Sequence, residues 1–459
     1  MNTALLSRNR WRKALAAGLL LFAGSSAAFA QAEEPTREEL QAQVEKLTRQ
    51  LESAKKALNA TEQKRVDARA EAADAEAEAA ETEALREELD RIQASPALGP
   101  VTFGGAIRAN YVYGDYAGTD GPSRGSDGGN FELDTFRINA DLAYENIVGK
   151  AEYRWYNGYN FLHTGWLGYN FNDGGQIQAG VNRTPFGAGP YGVSQSWFFD
   201  QSYYVGLSDD MDLGVKYVTS LGDTRIDLAY YPEAQPNGLG ATEHAARYDA
   251  DIVPDDSGEG YEERNQFNIR VVQPVEVADG FTSDVGASFQ VGELINKGNV
   301  NDGSDGTAWA GAVHAVNQID NWKLALQATY YNYDIDGSDL INRGFYDFYA
   351  DIATEGWIPA ASLSYYYETE DLPWLDYVIP YVEYSAIVKN GETAGGADFE
   401  DSELWTFGAA WAHNGWYIYT EYAYSNGNSF VGGEPFTNFG ANLDSKWQGR
   451  FNINFGYYF

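Results

Sequence analysis

From about residue 101 onward, charged and amide side chains fall on every second position. Arg137, Asn139 and Asp141 alternate with Phe136, Ile138, Ala140 and Leu142, and Lys150, Glu152 and Arg154 alternate with Ala151, Tyr153 and Trp155. Arg264, Gln266, Asn268 and Arg270 interleave with Phe267, Ile269 and Val271, and Lys323, Gln327 and Thr329 with Trp322, Leu324, Leu326 and Tyr330. Arg108, Lys216, Arg225, Asp227, Glu383, Glu421 and Arg450 extend the set. A period of two puts each polar row on one face of an extended strand and the apolar row on the other. Rows of both signs around an aqueous passage create a transverse field that biases which ions cross it. The competing role for each charge is a salt bridge that stiffens a wall. Bond-making chemistry has no comparable signature. Cys is absent, and the four His residues (His163, His244, His314 and His413) lie near neither a Gly-x-Ser-x-Gly elbow nor a His-Glu-x-x-His pair. No catalytic, cofactor or metal site is therefore expected, and the chain reads as a non-enzyme.

The elements that carry these rows are alternating segments of about ten residues, separated by turns rich in Gly, Asp and Asn. Candidates lie near residues 103–113, 131–145, 148–157, 162–171, 175–182, 212–220, 223–232, 262–272, 281–291, 307–317, 322–333, 356–369, 376–387, 402–412, 415–425 and 447–458. Their even number predicts an all-β fold, a closed antiparallel transmembrane barrel of sixteen strands. Turns such as Asn172-Asp173-Gly174-Gly175, Leu221-Gly222-Asp223 and His413-Asn414-Gly415 are tight, whereas the connections 114–130, 232–262, 292–306 and 389–401 are long. The 33 Tyr, 23 Phe and 12 Trp suit a lipid-facing surface, and runs such as Tyr203-Tyr204, Tyr365-Tyr366-Tyr367 and Trp416-Tyr417 are expected in interface girdles. The acidic stretches 299–306 and Ser208-Asp209-Asp210-Met211-Asp212 do not match the twelve-residue calcium loop and are expected as solvated surface loops. With 67 acidic against 31 basic residues, nucleic acid is excluded as a partner.

Residues 1–30 have the parts of a secretory signal peptide: basic Arg8, Arg10, Arg12 and Lys13, an apolar run over 14–23, and the exit Ala28-Phe29-Ala30. Residues 31–95 are of another kind. Leu40, Val44, Leu47, Leu51, Ala54 and Leu58 are spaced 4, 3, 4, 3 and 4, a heptad seam that predicts a helical coiled coil. A solvated single helix is the alternative. Pro96 and Pro100 end that helix, so 96–102 reads as a linker and 103–459 as the barrel. In the closing segment, Phe451, Ile453, Phe455, Tyr457 and Phe459 share one face, opposite Arg450, Asn452 and Asn454.

That segment resembles the terminal strand of Gram-negative outer-membrane barrels, in which a final Phe is associated with the assembly machinery. The sequence Gly180-Val181-Asn182-Arg183-Thr184-Pro185-Phe186-Gly187, followed by Trp197-Phe198-Phe199, resembles the Pro-Phe-Gly region of the phosphate-selective porin O and P family. The resemblance implies a homotrimeric sixteen-stranded outer-membrane porin for ions and small hydrophilic solutes, embedded in outer-membrane lipid and lipopolysaccharide. It makes Arg183, Pro185, Phe186 and Gly187 candidates for a loop that folds back and constricts the channel. Arg108, Arg137, Asp141, Lys150, Glu152, Arg154, Arg264, Arg270, Lys323, Glu383 and Arg450 are the candidate lining. Members of that family depend on dense Arg and Lys arrays, whereas here the basic positions are interleaved with carboxylates. The amino-terminal segment resembles periplasmic coiled coils of porins that contact peptidoglycan. A structural tether, with the barrel as anchor and the coil gripping the cell wall, is the alternative function.

Overall fold

The computed structural model describes residues 99–114, 129–369, 372–428, 430–431 and 446–459, all within the compact unit Asp74–Phe459. The expected signal peptide and coiled coil lie outside the described residues. The strands are β1 (Val101–Gly114), β2 (Asn130–Tyr144), β3 (Ile147–Trp155), β4 (Asn160–Asn170), β5 (Gln176–Arg183), β6 (Met211–Leu221), β7 (Thr224–Glu233), β8 (Gly260–Ala278), β9 (Phe281–Lys297), β10 (Gly306–Ile319), β11 (Trp322–Asp334), β12 (Leu340–Phe345), β13 (Phe348–Ala353), β14 (Glu355–Tyr365), β15 (Tyr367–Glu368), β16 (Tyr377–Asn390), β17 (Ser402–His413), β18 (Trp416–Ser425) and β19 (Gln448–Tyr458). All but β12 and β13 form one sheet. Strands β14 and β15 are a single wall strand interrupted at Tyr366, since both pair with β16. The wall is thus a closed antiparallel barrel of 16 strands, and each of the sixteen expected segments falls on one of them.

Closure joins β1 to β19 in the register Ala106↔Tyr458 through Gly114↔Arg450. Just beyond that ladder, Gly105 and Phe459 exchange backbone hydrogen bonds of 2.8 and 3.0 Å. A ring leaves no edge strand, so every wall amide finds a partner without water. Burial runs opposite to that of a soluble protein. On β19, Arg450, Asn452 and Asn454 are fully buried, while Phe455, Tyr457 and Phe459 stand outside. Outward Ile138, Leu167, Ile269, Val313 and Phe407 continue an apolar belt that suits lipid. Aromatic residues mark both margins of the belt. Trp322 packs on Tyr365 and Trp416 on Tyr457 near one rim, and Tyr330 on Trp357 and Tyr384 on Trp405 near the other. From Trp322 to Tyr330 the strand runs about 26 Å, which at the tilt of a barrel strand spans about 20 Å of height, most of an outer-membrane belt.

At the rim that holds Gly99 and Phe459, the turns are short, as at Glu145-Asn146, Gly222-Asp223, Asp320-Asn321 and Asn414-Gly415. The opposite rim carries the connections 184–210, 234–259 and 335–354. These three turn inward. Their Phe186, Tyr203, Tyr204, Val205, Leu207, Tyr248, Ile252, Phe345 and Ile352 form one buried apolar cluster with inward wall residues Ala308, Ala310, Ala312, Tyr331, Tyr333, Ile358 and Ile387. Tyr203 and Tyr204 therefore do not belong to a girdle: both are buried within the barrel, because the segment that carries them folds through it. Within the third connection, β12 and β13 form a separate hairpin.

Candidate functional site

The segment 184–210 is built to cross the lumen and stay there. Its two ends are clamped where β5 leaves the wall and β6 rejoins it. The Arg183 guanidinium pairs with Asp209 at 2.9 Å and lies over the Tyr191 ring, and Thr184 Oγ1 donates to Asp210 at 3.0 Å. Beyond the clamp come Pro185 and Phe186, both buried, and then Gly187 at φ 71°. That backbone suits glycine, and a Cβ there would sit 2.6 Å from the Gln327 amide oxygen. Gly187 N donates to Ser288 on β9 at 3.0 Å, and Ala188 N to Gln327 on β11 at 2.7 Å. From β8, Arg270 donates to the Gly187 and Ala188 carbonyls at 2.7 and 3.0 Å, and to Asp227 at 3.2 Å.

Farther along, two wall carboxylates accept hydrogen bonds from the same segment. Glu383 on β16 accepts from Ser194 Oγ and Gln195 N, both at 2.6 Å, and from Ser362 at 2.9 Å. Glu421 on β18 accepts from Trp197 N at 2.9 Å and Tyr381 at 2.5 Å. Charge-assisted bonds of this kind contribute about 1.5–3 kcal/mol each. The Trp197 indole donates to Asp134 on β2 at 3.2 Å, and Arg450 lies about 5 Å from the Trp197 and Phe198 rings. Inside the segment, Asp200 gathers the Val193 and Ser202 amides at 2.8 Å. Burial nevertheless pushes its carboxyl up. The segment thus touches strands on many sides of the barrel, and its polar anchors are wall side chains on the inner face.

The other lining candidates divide into groups. On β1–β3 the inward charges are paired: Arg108 with Asp134 at 2.9 Å, and Glu152 with Arg154 at 2.5 Å and Arg137 at 3.4 Å. Glu152 also lies 3.6 Å from the His163 ring. Arg137 stands over Tyr458, and Arg154 over Tyr248 of the second connection. Asp141 and Lys150 face each other across β2 and β3. Lys323, next to the start of β11, lies near the short-turn rim and is not among the anchors of the crossing segment. Arg264 leaves its expected row. A bulge at Asn265 (φ 52°) shifts the register between Arg264 and Phe267, and the guanidinium pairs with Glu233 and Glu262. Bulges also fall beside Arg108 and Glu152.

One acidic stretch departs from expectation. Ser208 to Asp212 is buried rather than solvated, because the second connection packs over it: Tyr248 donates to Asp209 at 2.5 Å, and Asp249 accepts from Met211 N. Sequence reasoning placed Gln327 and Glu421 on the inward face without assigning them as anchors, and it missed Asp134 as an anchor and the β12–β13 hairpin as part of the filling. The hairpin did leave a signal. Ile341, Phe345, Ala350 and Ile352 keep a period of two on either side of Tyr346-Asp347.

No known protein family and no curated protein matches this chain. Among solved structures it is similar to Salmonella typhi OmpF in complex with daunomycin, at 15% identity over 78% of this chain and 97% of that one, with a TM-score of 0.51. It is also similar to the outer membrane channel DcaP of Acinetobacter baumannii (13% identity, 78% and 97% covered, TM-score 0.49) and to an anion-selective porin from Comamonas acidovorans (11% identity, 78% and 99% covered, TM-score 0.45). With the closed ring of 16 strands, the likeness to the first shows that this chain has the barrel fold of the outer-membrane porins.

Proposed function

We propose that the protein is an outer-membrane channel for passive diffusion of ions and small hydrophilic solutes, narrowed by the segment 184–210. One observation carries the reading: a 16-stranded barrel encloses an interior with charged walls, and one of its inward segments, 184–210, is anchored to them by Arg270, Gln327, Glu383 and Glu421. A narrow aqueous constriction lined by charges of both signs selects by size and electrostatics, without an energy source. In this reading the protein is not an enzyme, the barrel assembles as a homotrimer in lipid and lipopolysaccharide, and residues 31–95 stand in the periplasm within reach of peptidoglycan. Selectivity for phosphate gains no support from the interior, since Arg108, Arg137, Arg154 and Arg270 each have a carboxylate partner.

The structural tether is the second reading, and the apolar cluster between the three inward connections and the wall is the observation that favours it. Conductance of the purified mature protein in a planar bilayer, under a salt gradient, separates the two. Stable steps, arriving in threes for a trimer, are expected, and the sign of the reversal potential gives the ion preference. A correctly folded barrel that stays silent would overturn the channel and leave the tether, to be tested by envelope defects on deleting 31–95.

A further inference from the structure

Two Asp-x-Asp pairs, one at the junction of the crossing segment with β6 and one in the connection 234–259, meet inside the barrel. Asp210 and Asp212 flank the point where the crossing segment returns to the wall, and Asp249 and Asp251 belong to the connection 234–259. Carboxylate oxygens of Asp210, Asp212 and Asp251 all lie within 4.8 Å of one another, and all three residues are buried. Asp249 packs beside them: its Oδ2 accepts from the Met211 amide, between Asp210 and Asp212. Its other oxygen, Oδ1, is fully buried and has no hydrogen-bond partner, and Oδ1 of Asp212 is in the same condition. Arg247, paired with Asp251, is the cation found at the group among the described residues, and the neighbouring Asp209 is taken by Arg183.

That balance of charge is costly as it stands. Burying an ionised carboxylate without a counter-charge costs several kcal/mol. Burial, and then the charges of their neighbours, push the Asp210 and Asp249 carboxyls up. The excess charge needs a counter-charge, and the two lone oxygens need a partner. A cation answers both needs at once. Opposite ligands of a calcium ion at about 2.4 Å stand about 4.8 Å apart, and hard divalent cations take carboxylate oxygens.

We propose that Asp210, Asp212 and Asp251, with Asp249 packed beside them, form a site for a hard divalent cation of the calcium or magnesium class. The ion would tie the returning end of the crossing segment to the second connection, so its effect is on how firmly both are held. Ligands drawn from two separate stretches of chain explain why the site does not follow the twelve-residue calcium loop. The donor set, all oxygen with several carboxylates and no fixed octahedron, suits calcium better than magnesium.

The test uses the full mature barrel, refolded in detergent without lipopolysaccharide and stripped with EDTA. Calcium chloride, and separately magnesium chloride, is titrated by calorimetry, bound metal is counted by mass spectrometry, and unfolding in urea is followed with and without calcium. Expected are about one saturable calcium per chain and a rise in the unfolding midpoint. Asp212→Asn and Asp251→Asn should weaken binding at least about tenfold. Glu259→Gln, at an exposed residue of the same connection, should bind as the parent does. The wild-type titration decides the matter even if a variant fails to fold. A folded parent with no saturable calcium, or an Asp212→Asn barrel that binds equally well, overturns the proposal. The conductance test is read independently, so either idea can fail alone.

Discussion

The interior has two kinds of wall. Across β1–β3 the inward side chains include Arg108, Asp134, Arg137, Glu152 and Arg154, joined by ion pairs. Across β10, β11 and β14 they are Ala308, Ala310, Ala312, Tyr331, Tyr333 and Ile358, packed against the inward connections. Both walls obey the same alternation and present the same lipid-facing exterior. What differs is the neighbour. A wall that meets another piece of protein can bury apolar surface there, whereas a wall whose inner face is charged must satisfy those charges by pairing them. The first wall is therefore sensitive to loss of a charge, and the second to loss of volume.

Substitution should separate these sensitivities. Glu152→Gln leaves Arg137 and Arg154 buried near each other without their shared carboxylate, and should cost about 3–5 kcal/mol. Urea unfolding of the folded barrel measures it, and a loss below about 1 kcal/mol would break the charged half of the comparison. On the apolar side, Phe345→Ala removes a fully buried ring from the cluster and should cost about 3 kcal/mol. Because the ring belongs to a connection and not to the ring of strands, the loss should appear as protease cutting within 335–354 while the wall stays folded. Gly187→Ala sharpens the boundary between the walls. It forces an L side chain to φ 71° against Gln327, and should cost about 1–2 kcal/mol, read as noisier conductance with little change in the global unfolding midpoint.

The strands were legible because a membrane barrel writes its two environments into alternate residues. That is why β2, β3 and β19 could be read face by face. The limits of legibility are equally physical. The bulge at Asn265 inserts no unusual residue type, so the displacement of Arg264 left no mark in the pattern. Tyr203-Tyr204 and Ser208–Asp212 look like surface sequence, because a connection that folds inward carries its own turns and polar residues with it. The Pro185-Phe186-Gly187 stretch pointed to a special connection, but its anchors come from β8, β9, β11, β16 and β18, and no local spacing encodes such distant partners.

The seam between β1 and β19 has a further consequence in time. Everywhere else around the ring a strand pairs with one that lies close to it in the chain, so hairpins can zip one after another. At the seam, Asn110 and Asn454 meet across a separation of 344 residues. Bringing ends so far apart together costs about 5 kcal/mol in loop entropy by itself. Until that last ladder forms, two strand edges stay unpaired and ready to join the wrong neighbour. The closing step is then the slow, aggregation-prone one, and a helper that holds the edge of β1 or β19 would act as a timer on the assembly of the whole molecule.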